Sequence, residues 1–275
     1  MPLGVGLIGC GAIGTVLARA IDNGQAGDVR LVMVYDLVAE KSHILVRKLT
    51  RKPRIIQSFK ELIECGDVDL VIEAASQGAV KEYASKVLRA GKDLMIMSVG
   101  ALVDSDLINE IKRYAEGRGK RVYIPSGAIA GLDGVKAAAI GRVDYVTLTT
   151  RKPPKGLGDA PYVKEKKMRL DMFKNPTIIY EGSALEACRL FPVNVNVAAA
   201  LGLAGIGMEK TRVRIIADPT IDRNIHEIEV KGEFGELKMH TENVPFVDNP
   251  QTSFLAALSA IATLRKITEP LLIGT

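Results

Sequence analysis

The sequence predicts an α/β protein: a doubly wound parallel sheet, then a smaller mixed α+β domain, then a final helix that returns to the first domain. Three observations predict this fold. Strand-like and helix-like patterns alternate through the first half of the chain. A glycine-rich turn follows the first strand. After residue 126 the alternation stops, and the 275 residues, 47% of them apolar, are enough for more than one domain.

The first strand leads into the glycine-rich turn. Residues 3–8 (LGVGLI) form a short apolar run typical of a buried parallel strand. Gly9, Gly11 and Gly14 follow with the spacing G-x-G-x-x-G, and the apolar residues after them recur with the period of a helix that ends near Gly24. In such a turn the first glycine permits the bend, the second lets the backbone approach a pyrophosphate, and the third lets helix and strand pack closely.

An acidic residue at the end of the second strand completes the pattern of a Rossmann-type dinucleotide-binding domain. The strand LVMVYD ends at Asp36, which we expect to accept hydrogen bonds from the adenosine ribose hydroxyls. This favours NAD, although NADP stays possible because Lys41 could approach a 2′-phosphate. Alternatively, the glycine-rich turn could be a tight turn that binds no ligand, and Asp36 could be an ordinary acidic residue at the end of a strand. The helix N-terminus faces the anion, so the cofactor-binding residues predicted here are Gly9, Gly11, Ala12, Ile13, Gly14 and Asp36.

The alternation of strands and helices continues through the first domain. Further strands are predicted at 54–57, 69–75, 93–101 and 120–128, with helices at 58–64, 76–91 and 104–119. Ligands of such sheets bind at the carboxyl ends of the strands. The loops at these strand ends consist of small and polar residues, and each loop taken alone could also be a plain turn. Together they predict one cofactor groove, with Ala75 and Ser76 in contact with the cofactor.

The second half has a different pattern. Residues 143–152 (VDYVTLTTRK) alternate like a strand with one buried face. Residues 153–176 are polar and rich in Pro and Gly, so we expect a long loop or lid there. Ser183 and Glu186 have the spacing of a capping box, which predicts a helix through Arg189.

The rest of the chain predicts an Ala-rich helix, three strands and a final helix. The strands TRVRIIAD, NIHEIEVKG and GELKMHTEN follow the helix at 191–205 and are expected to pair in succession as a meander. The last segment, TSFLAALSAIATLRKI, has the period of an amphipathic helix. We therefore expect a dinucleotide-binding domain at 1–125, a substrate domain at 126–245 and a returning helix within 246–275, with the active site in the cleft between the domains.

Composition narrows the class of partner and the compartment. The net charge is +5, but the basic residues are scattered and the chain has no Trp, which argues against nucleic acid and favours an anionic small molecule. We find no apolar run of the length that spans a bilayer and no leader pattern. The three cysteines, Cys10, Cys65 and Cys188, are few and far apart, which argues against disulfides or a metal site and predicts a cytoplasmic protein.

Over nearly its whole length the sequence resembles the L-aspartate dehydrogenases. The motifs that carry the resemblance include GLIGCGAIG, EAASQGAVKEYA, SGAIAGLD, FPVNVNVAAALGLAG and RNIHEIEVKGEFGE. The resemblance implies a two-domain homodimer that oxidises L-aspartate with NAD or NADP. The product, iminoaspartate, then hydrolyses to oxaloacetate and ammonia or feeds NAD biosynthesis.

The family motifs also imply site residues. The resemblance implies that His226, in RNIHEIEV, is the catalytic residue and that Ala128 and Asn196 contact the cofactor. A histidine whose pKa lies near neutrality suits both the amine proton and the water that attacks the imine. The alternative is a structural histidine at the start of a strand. We expect His43 and His240 to be surface residues.

A dicarboxylate substrate requires cationic or amide donors. Lys152 is the leading candidate, with Arg151 and Lys167 behind it, and solvated lysines near a loop are the alternative. Asn194 is a second candidate for substrate binding, although one asparagine of the pair Asn194 and Asn196 also suits a helix N-cap.

Two other functions stay open on the sequence alone. One is another dehydrogenase of similar build, related to homoserine dehydrogenase or dihydrodipicolinate reductase. The other is a dinucleotide-binding sensor without catalysis, for which replacing His226 would change only stability.

Overall fold

The structure is a computed structural model that describes residues 1–192, 196–246 and 249–274. The chain divides into two compact units. The first unit consists of Met1–Pro125 and Ala257–Ile273, and the second is formed mainly by Ser126–Ala256. No helix in the described ranges is both long and apolar enough to cross a membrane.

The first unit contains a six-stranded parallel sheet with the order β3-β2-β1-β4-β5-β6. Its strands are β1 (Leu3–Ile8), β2 (Val29–Tyr35), β3 (Arg54–Ile55), β4 (Leu70–Glu73), β5 (Asp93–Ile96) and β6 (Val122–Tyr123). Its helices are α1 (Ala12–Asp22), α2 (Ala39–Arg47), α3 (Phe59–Glu64), α4 (Gln77–Arg89) and α5 (Ser105–Arg118), with a 3₁₀ helix at Val99–Val103. The strand order reverses between β1 and β4, which is where ligands of such sheets bind. The prediction of a doubly wound parallel sheet is confirmed.

The strands on one side of this sheet are shorter than predicted. We expected strand structure over 93–101, but β5 ends at Ile96 and the residues that follow form the 3₁₀ helix. The sixth strand, predicted over 120–128, is only the two residues of β6, and Gly127 has a φ of +70°. Apolar character alone therefore overestimated strand length, because buried loop residues at the strand ends are apolar as well.

The C-terminal helix α10 (Phe254–Thr268) belongs mostly to the first unit. Its residues Ala260 and Leu264 are fully buried in the same apolar core as Leu17 of α1. Gly27 has a φ of +83°, and a Cβ there would lie 2.2 Å from Oγ1 of Thr268. The close approach of the helix therefore requires glycine at position 27, and the predicted return of the final helix is confirmed.

The second unit is built on a five-stranded mixed sheet with the order β11-β10-β7-β9-β8. Its strands are β7 (Val143–Lys152), β8 (Thr177–Ser183), β9 (Arg212–Ala217), β10 (Asn224–Gly232) and β11 (Gly235–Asn243), and a separate pair is formed by β12 (Pro245–Phe246) and β13 (Asn249–Ser253). Its helices are α6 (Leu132–Ala138), α7 (Pro161–Glu165), α8 (Ala184–Leu190) and α9 (Asn196–Ala204).

The predicted meander is wrong. Strands β10 and β11 form a hairpin, but β7 lies between β9 and β10. Thr150 of β7 pairs with Ile215 of the parallel β9 and with His226 of the antiparallel β10. Alternation of apolar residues shows which face of a strand is buried, but it does not show which strand lies beside it.

Several described elements of this unit were not predicted. They are α6, β8, the pair β12 and β13, and the short helices within 153–176, which consist of α7 and 3₁₀ turns at Pro154–Gly156 and Leu170–Met172. The segment expected to be a loop is therefore partly helical. Pro154 and Pro161 each stand at the start of one of these short helices, where proline is tolerated.

Candidate active site

The three glycines of the first turn have different surroundings. A Cβ at Gly9 would lie 2.5 Å from the carbonyl oxygen of Ala74, and φ there is +97°, so the turn requires glycine. A Cβ at Gly14 would lie 2.0 Å from the carbonyl oxygen of Gly9. A Cβ at Gly11 would meet no atom within 4 Å in the part of the chain that the structure describes. The fold itself explains Gly9 and Gly14, whereas the open space at Gly11 fits the close approach of a pyrophosphate.

Helix α1 begins beside this open space. Gly11 is its N-cap and has no side chain to accept a hydrogen bond from the first turn. The first turn also carries no acidic residue. The backbone N–H groups at Ala12 and Ile13 therefore meet no side-chain acceptor from the cap, which suits an anionic ligand at this helix end.

Asp36 follows β2 and organises the neighbouring loops. Its Oδ2 accepts a hydrogen bond from the backbone N–H of Cys10 at 2.8 Å, and its Oδ1 accepts one from the N–H of Val38 at 2.8 Å. A carboxylate oxygen has a second lone pair, so both oxygens keep an acceptor site for ribose hydroxyls.

A cavity of about 280 Å³ lies beside Asp36. Four of the predicted cofactor residues line it: Gly9, Asp36, Ala75 and Ser76. Glu82 and Tyr83 of α4 also line it, although the sequence did not point to them. Gly11, Ala12, Ile13 and Gly14 lie at the adjoining start of α1 and are not part of this cavity wall.

One face of the sheet in the second unit is divided into an apolar and a polar end. Along β7 and β10 the buried side chains at one end are apolar, such as Leu148 and Ile228. At the other end they are polar, namely Thr150, Lys152, Asn224 and His226. Buried polar groups are costly unless they have partners, so this polar end is a candidate for chemistry.

His226 is buried, with 3% of its surface exposed. Its Nδ1 lies 3.0 Å from Oγ1 of Thr150. Burial, and to a smaller extent the nearby charge of Lys152, lower the pKa of His226 from 6.5 to about 3. The expectation of a pKa near neutrality is therefore wrong, because the sequence does not reveal how completely the ring is removed from water.

Lys152 is the last residue of β7 and is also 3% exposed. Burial lowers the pKa of its ammonium group to about 8. Arg151 lies on the opposite face, where it pairs with Asp218 at 3.9 Å and Glu227 at 3.5 Å. Lys167 is exposed within the segment 153–176. Of the three candidate cations, Lys152 is thus the one that the fold brings together with His226.

Ala128 is tied to the hairpin that carries His226. Its carbonyl oxygen accepts hydrogen bonds from Nδ2 of Asn243 at 3.0 Å and from Oγ1 of Thr241 at 3.3 Å. The same Thr241 hydroxyl lies 3.3 Å from the carbonyl oxygen of His226. Neither Thr241 nor Asn243 could be recognised from the sequence, because the contacts span more than a hundred residues of chain.

The remaining predicted residues have mixed outcomes. Asn196 is the first residue of α9 and is partly buried. Asn194 lies outside the described residues. His43 and His240 are exposed, as expected, and His240 lies within 3.5 Å of Glu227 and 3.2 Å of Glu242.

A second cavity, of about 760 Å³, lies within the second unit. Its wall is formed mainly by residues of the segment 153–173, with Ile221 and Asn224 on the other side. Among the described residues of the wall, the charged ones are Lys155, Asp171 and Asp222. With these residues the wall is largely apolar and offers one cation, so it is poorly matched to a dicarboxylate.

Family models match both halves of the chain. The family described as "Homoserine dehydrogenase, NAD binding domain" matches residues 9–125, the part that contains the glycine turn and Asp36. The first unit is therefore a nicotinamide-nucleotide-binding domain, and the protein is of the dehydrogenase class. The family described as "Aspartate dehydrogenase, C-terminal" matches residues 133–267.

Full-length relatives narrow this class. The chain is 51% identical to an L-aspartate dehydrogenase of Methanocella arvoryzae over 98% of its own length and 99% of the relative, and 45% identical to one of Nitrosopumilus maritimus over 98% and 99%. The crystal structure of aspartate dehydrogenase from Thermotoga maritima matches with a TM-score of 0.79 at 31% identity, covering 100% of both chains. This chain belongs to the L-aspartate dehydrogenase family.

Proposed function

We propose that this protein is an NAD(P)-dependent L-aspartate dehydrogenase. In this reaction L-aspartate would lose a hydride from Cα and a proton from its amine, which gives iminoaspartate, and the oxidised nicotinamide would supply the hydride acceptor. Water then converts the imine to oxaloacetate and ammonia. One observation carries the choice of substrate: the curated relatives that match the chain from end to end are named L-aspartate dehydrogenases.

The cofactor supplies the hydride acceptor, and the first unit would hold it. The open backbone at Gly11 and the start of α1 would receive the pyrophosphate, and Asp36 would bind the ribose hydroxyls. A 2′-phosphate beside the Asp36 carboxylate brings like charges together, so NAD is the preferred cofactor and NADP the weaker one. Ala128 and Asn196 would complete the contacts to the cofactor.

His226 is the proposed proton acceptor. If Nδ1–H donates to Oγ1 of Thr150, then Nε2 presents its lone pair to the amine proton and later to the attacking water. A pKa of about 3 makes a weak base. We expect bound substrate to raise the pKa of His226 again, because its two carboxylates near the ring stabilise the imidazolium form.

Lys152 is the proposed partner of a substrate carboxylate. Its side chain shares the polar end of the sheet face with His226. Below about pH 8 the ammonium group is charged, and a carboxylate that neutralises it offsets the cost of burying that charge. Asn194 is proposed as a further donor to the substrate.

A substrate panel tests the proposal. Purified protein is mixed with NAD or NADP and with L-aspartate, D-aspartate, L-glutamate or L-homoserine, and formation of the reduced cofactor is followed. We expect L-aspartate with NAD to give the highest kcat/KM. If the cofactor is reduced with L-homoserine but not with L-aspartate, the proposed substrate is wrong. Equal kcat/KM values for NAD and NADP would show that Asp36 does not determine the cofactor preference.

A further inference from the structure

Glu73, the last residue of β4, is a buried carboxylate that accepts four hydrogen bonds from the described residues. It is 1% exposed. Its Oε1 accepts from the backbone N–H of Ala75 at 2.8 Å, the N–H of Ser76 at 2.9 Å and Oγ of Ser98 at 2.9 Å. Its Oε2 accepts from the N–H of Ser98 at 3.0 Å. All four contacts use the carboxylate as an acceptor, which is the pattern of an ionised group.

These donors belong to two neighbouring loops. Ala75 and Ser76 follow β4 and line the cavity of about 280 Å³ beside Asp36, whereas Ser98 follows the adjacent strand β5. Ser76 also caps α4, because its Oγ accepts a hydrogen bond from the N–H of Ala79 at 3.1 Å. Glu73 therefore fixes the start of α4 and joins two strand ends at the carboxyl edge of the sheet.

Burial works against this arrangement. It raises the pKa of Glu73, while the hydrogen bonds from Ala75, Ser76 and Ser98 oppose the rise. A glutamine at the same place would fit the space, but it would present an amide group where at least one backbone N–H now finds an acceptor. The buried charge of Glu73 at the carboxyl ends of the strands has an explanation if the loops after β4 and β5 must hold one conformation.

We propose that Glu73 is a positioning residue of the cofactor site: its carboxylate holds the loops after β4 and β5 in the conformation that receives the nicotinamide nucleotide. This rests on the proposed function, because it places the cofactor at this edge of the sheet. Glu73 acts through Ala75 and Ser76, which line the cavity beside Asp36, and through Ser98, which follows the neighbouring strand.

The opposite edge of the same sheet provides a matched control. Lys92 is 6% exposed, and its Nζ donates to the carbonyl oxygens of Cys65 and Val68, both at 2.7 Å. It too is a buried charge that holds a loop, but it precedes β5 and so lies at the amino end of the strands. Removing it should disturb the fold without touching the groove.

The test compares Glu73→Gln with Lys92→Met. Affinity for NADH is measured by fluorescence titration, the KM values for NAD and L-aspartate by initial rates, and the thermal midpoint by calorimetry. In Glu73→Gln we expect the Kd for NADH and the KM for NAD to rise about tenfold or more, the usual effect of an unsatisfied buried donor. The KM for L-aspartate and kcat should stay within about threefold, since Glu73 touches no reacting atom. Lys92→Met should lower the thermal midpoint but keep the wild-type affinity for NADH.

Two results would overturn the proposal: wild-type NADH affinity in Glu73→Gln, or an equal loss of affinity in Lys92→Met. If Glu73→Gln does not fold, Ser98→Ala decides, because it deletes one donor and leaves the backbone N–H in place. We expect about a threefold weaker affinity for NADH in Ser98→Ala, and no change would refute the role. Failure of the proposed function looks different, since the wild-type protein itself would then bind no NADH or leave L-aspartate unoxidised.

Discussion

Thr150 and His226 face each other across neighbouring antiparallel strands, and Oγ1 of Thr150 lies 3.0 Å from Nδ1 of His226. The hydroxyl can accept a hydrogen bond from the ring or donate one to it. In the proposed mechanism it accepts, which fixes the tautomer with a free lone pair on Nε2. In this mechanism the orientation and the basicity of His226 depend on its hydrogen bond to Thr150.

Thr150→Val tests this dependence. Valine fills the same volume but cannot accept the Nδ1–H bond, so part of the population should adopt the wrong tautomer or ring orientation. We expect kcat to fall about tenfold, in line with the loss of one buried hydrogen bond, while the KM for NAD stays unchanged. A kcat within twofold of the wild type would show that Thr150 does not position the ring.

His226→Asn tests the proton acceptor. Asparagine removes the titrating ring and little packing, so NADH affinity should be kept while kcat falls by roughly 10²–10⁴. The matched control is His240→Asn, which changes an exposed histidine of the neighbouring strand. The control should keep wild-type rates. If His226→Asn retains more than about a tenth of the activity, another group accepts the proton.

Succinate tests the charge of Lys152, because it carries two carboxylates and no amine. Burial lowers the pKa of Lys152 from 10.5 to about 8, so the ammonium charge is lost as the pH rises through about 8. We expect the inhibition constant of succinate to be flat below pH 8 and to rise above it. In Lys152→Met, binding should be weak at every pH.

The neighbouring residue serves as the control for this experiment. Arg151 lies on the other face of the strand and pairs with Asp218 and Glu227. Arg151→Met should therefore bind succinate like the wild type, with the same dependence on pH. If Arg151→Met loses succinate binding and Lys152→Met keeps it, then Arg151 and not Lys152 binds the carboxylate.

Gly11→Val tests the cofactor groove. The backbone of Gly11 has a φ of −78°, which valine can adopt, and a Cβ there meets no atom of the described residues within 4 Å. The variant should remain folded but lose NADH binding, because the side chain occupies the place of the pyrophosphate. Gly117→Val in α5 is the control, since a Cβ there is equally unhindered. Unaltered NADH affinity in Gly11→Val would remove the pyrophosphate from this turn.

The sequence predicted the features that depend on local pattern. Strand and helix order in the first unit, the helix capped by Ser183 and the return of α10 all follow from periodicity and short motifs. The position of β7 between β9 and β10 could not be predicted in this way, because packing between residues far apart in the sequence decides which strands pair.

The candidate site shows the same division. His226 and Lys152 were identifiable by residue type and motif, and the fold brings them to one end of one sheet face. The lowered pKa of His226 could not be predicted, because desolvation depends on neighbours in the fold that the sequence does not reveal. Glu73 and Asn243 were missed for a related reason: their roles lie in contacts to the backbone of distant loops.

Deuterium transfer shows directly whether the protein oxidises L-aspartate at Cα with NAD. L-aspartate deuterated at Cα is mixed with NAD and the protein, and the mass of the isolated reduced cofactor is measured by mass spectrometry. We expect NADH that carries one deuterium, together with oxaloacetate and ammonia in equal amounts. Reduced cofactor without deuterium, or no reduced cofactor with L-aspartate at all, would show that the protein does not catalyse this oxidation.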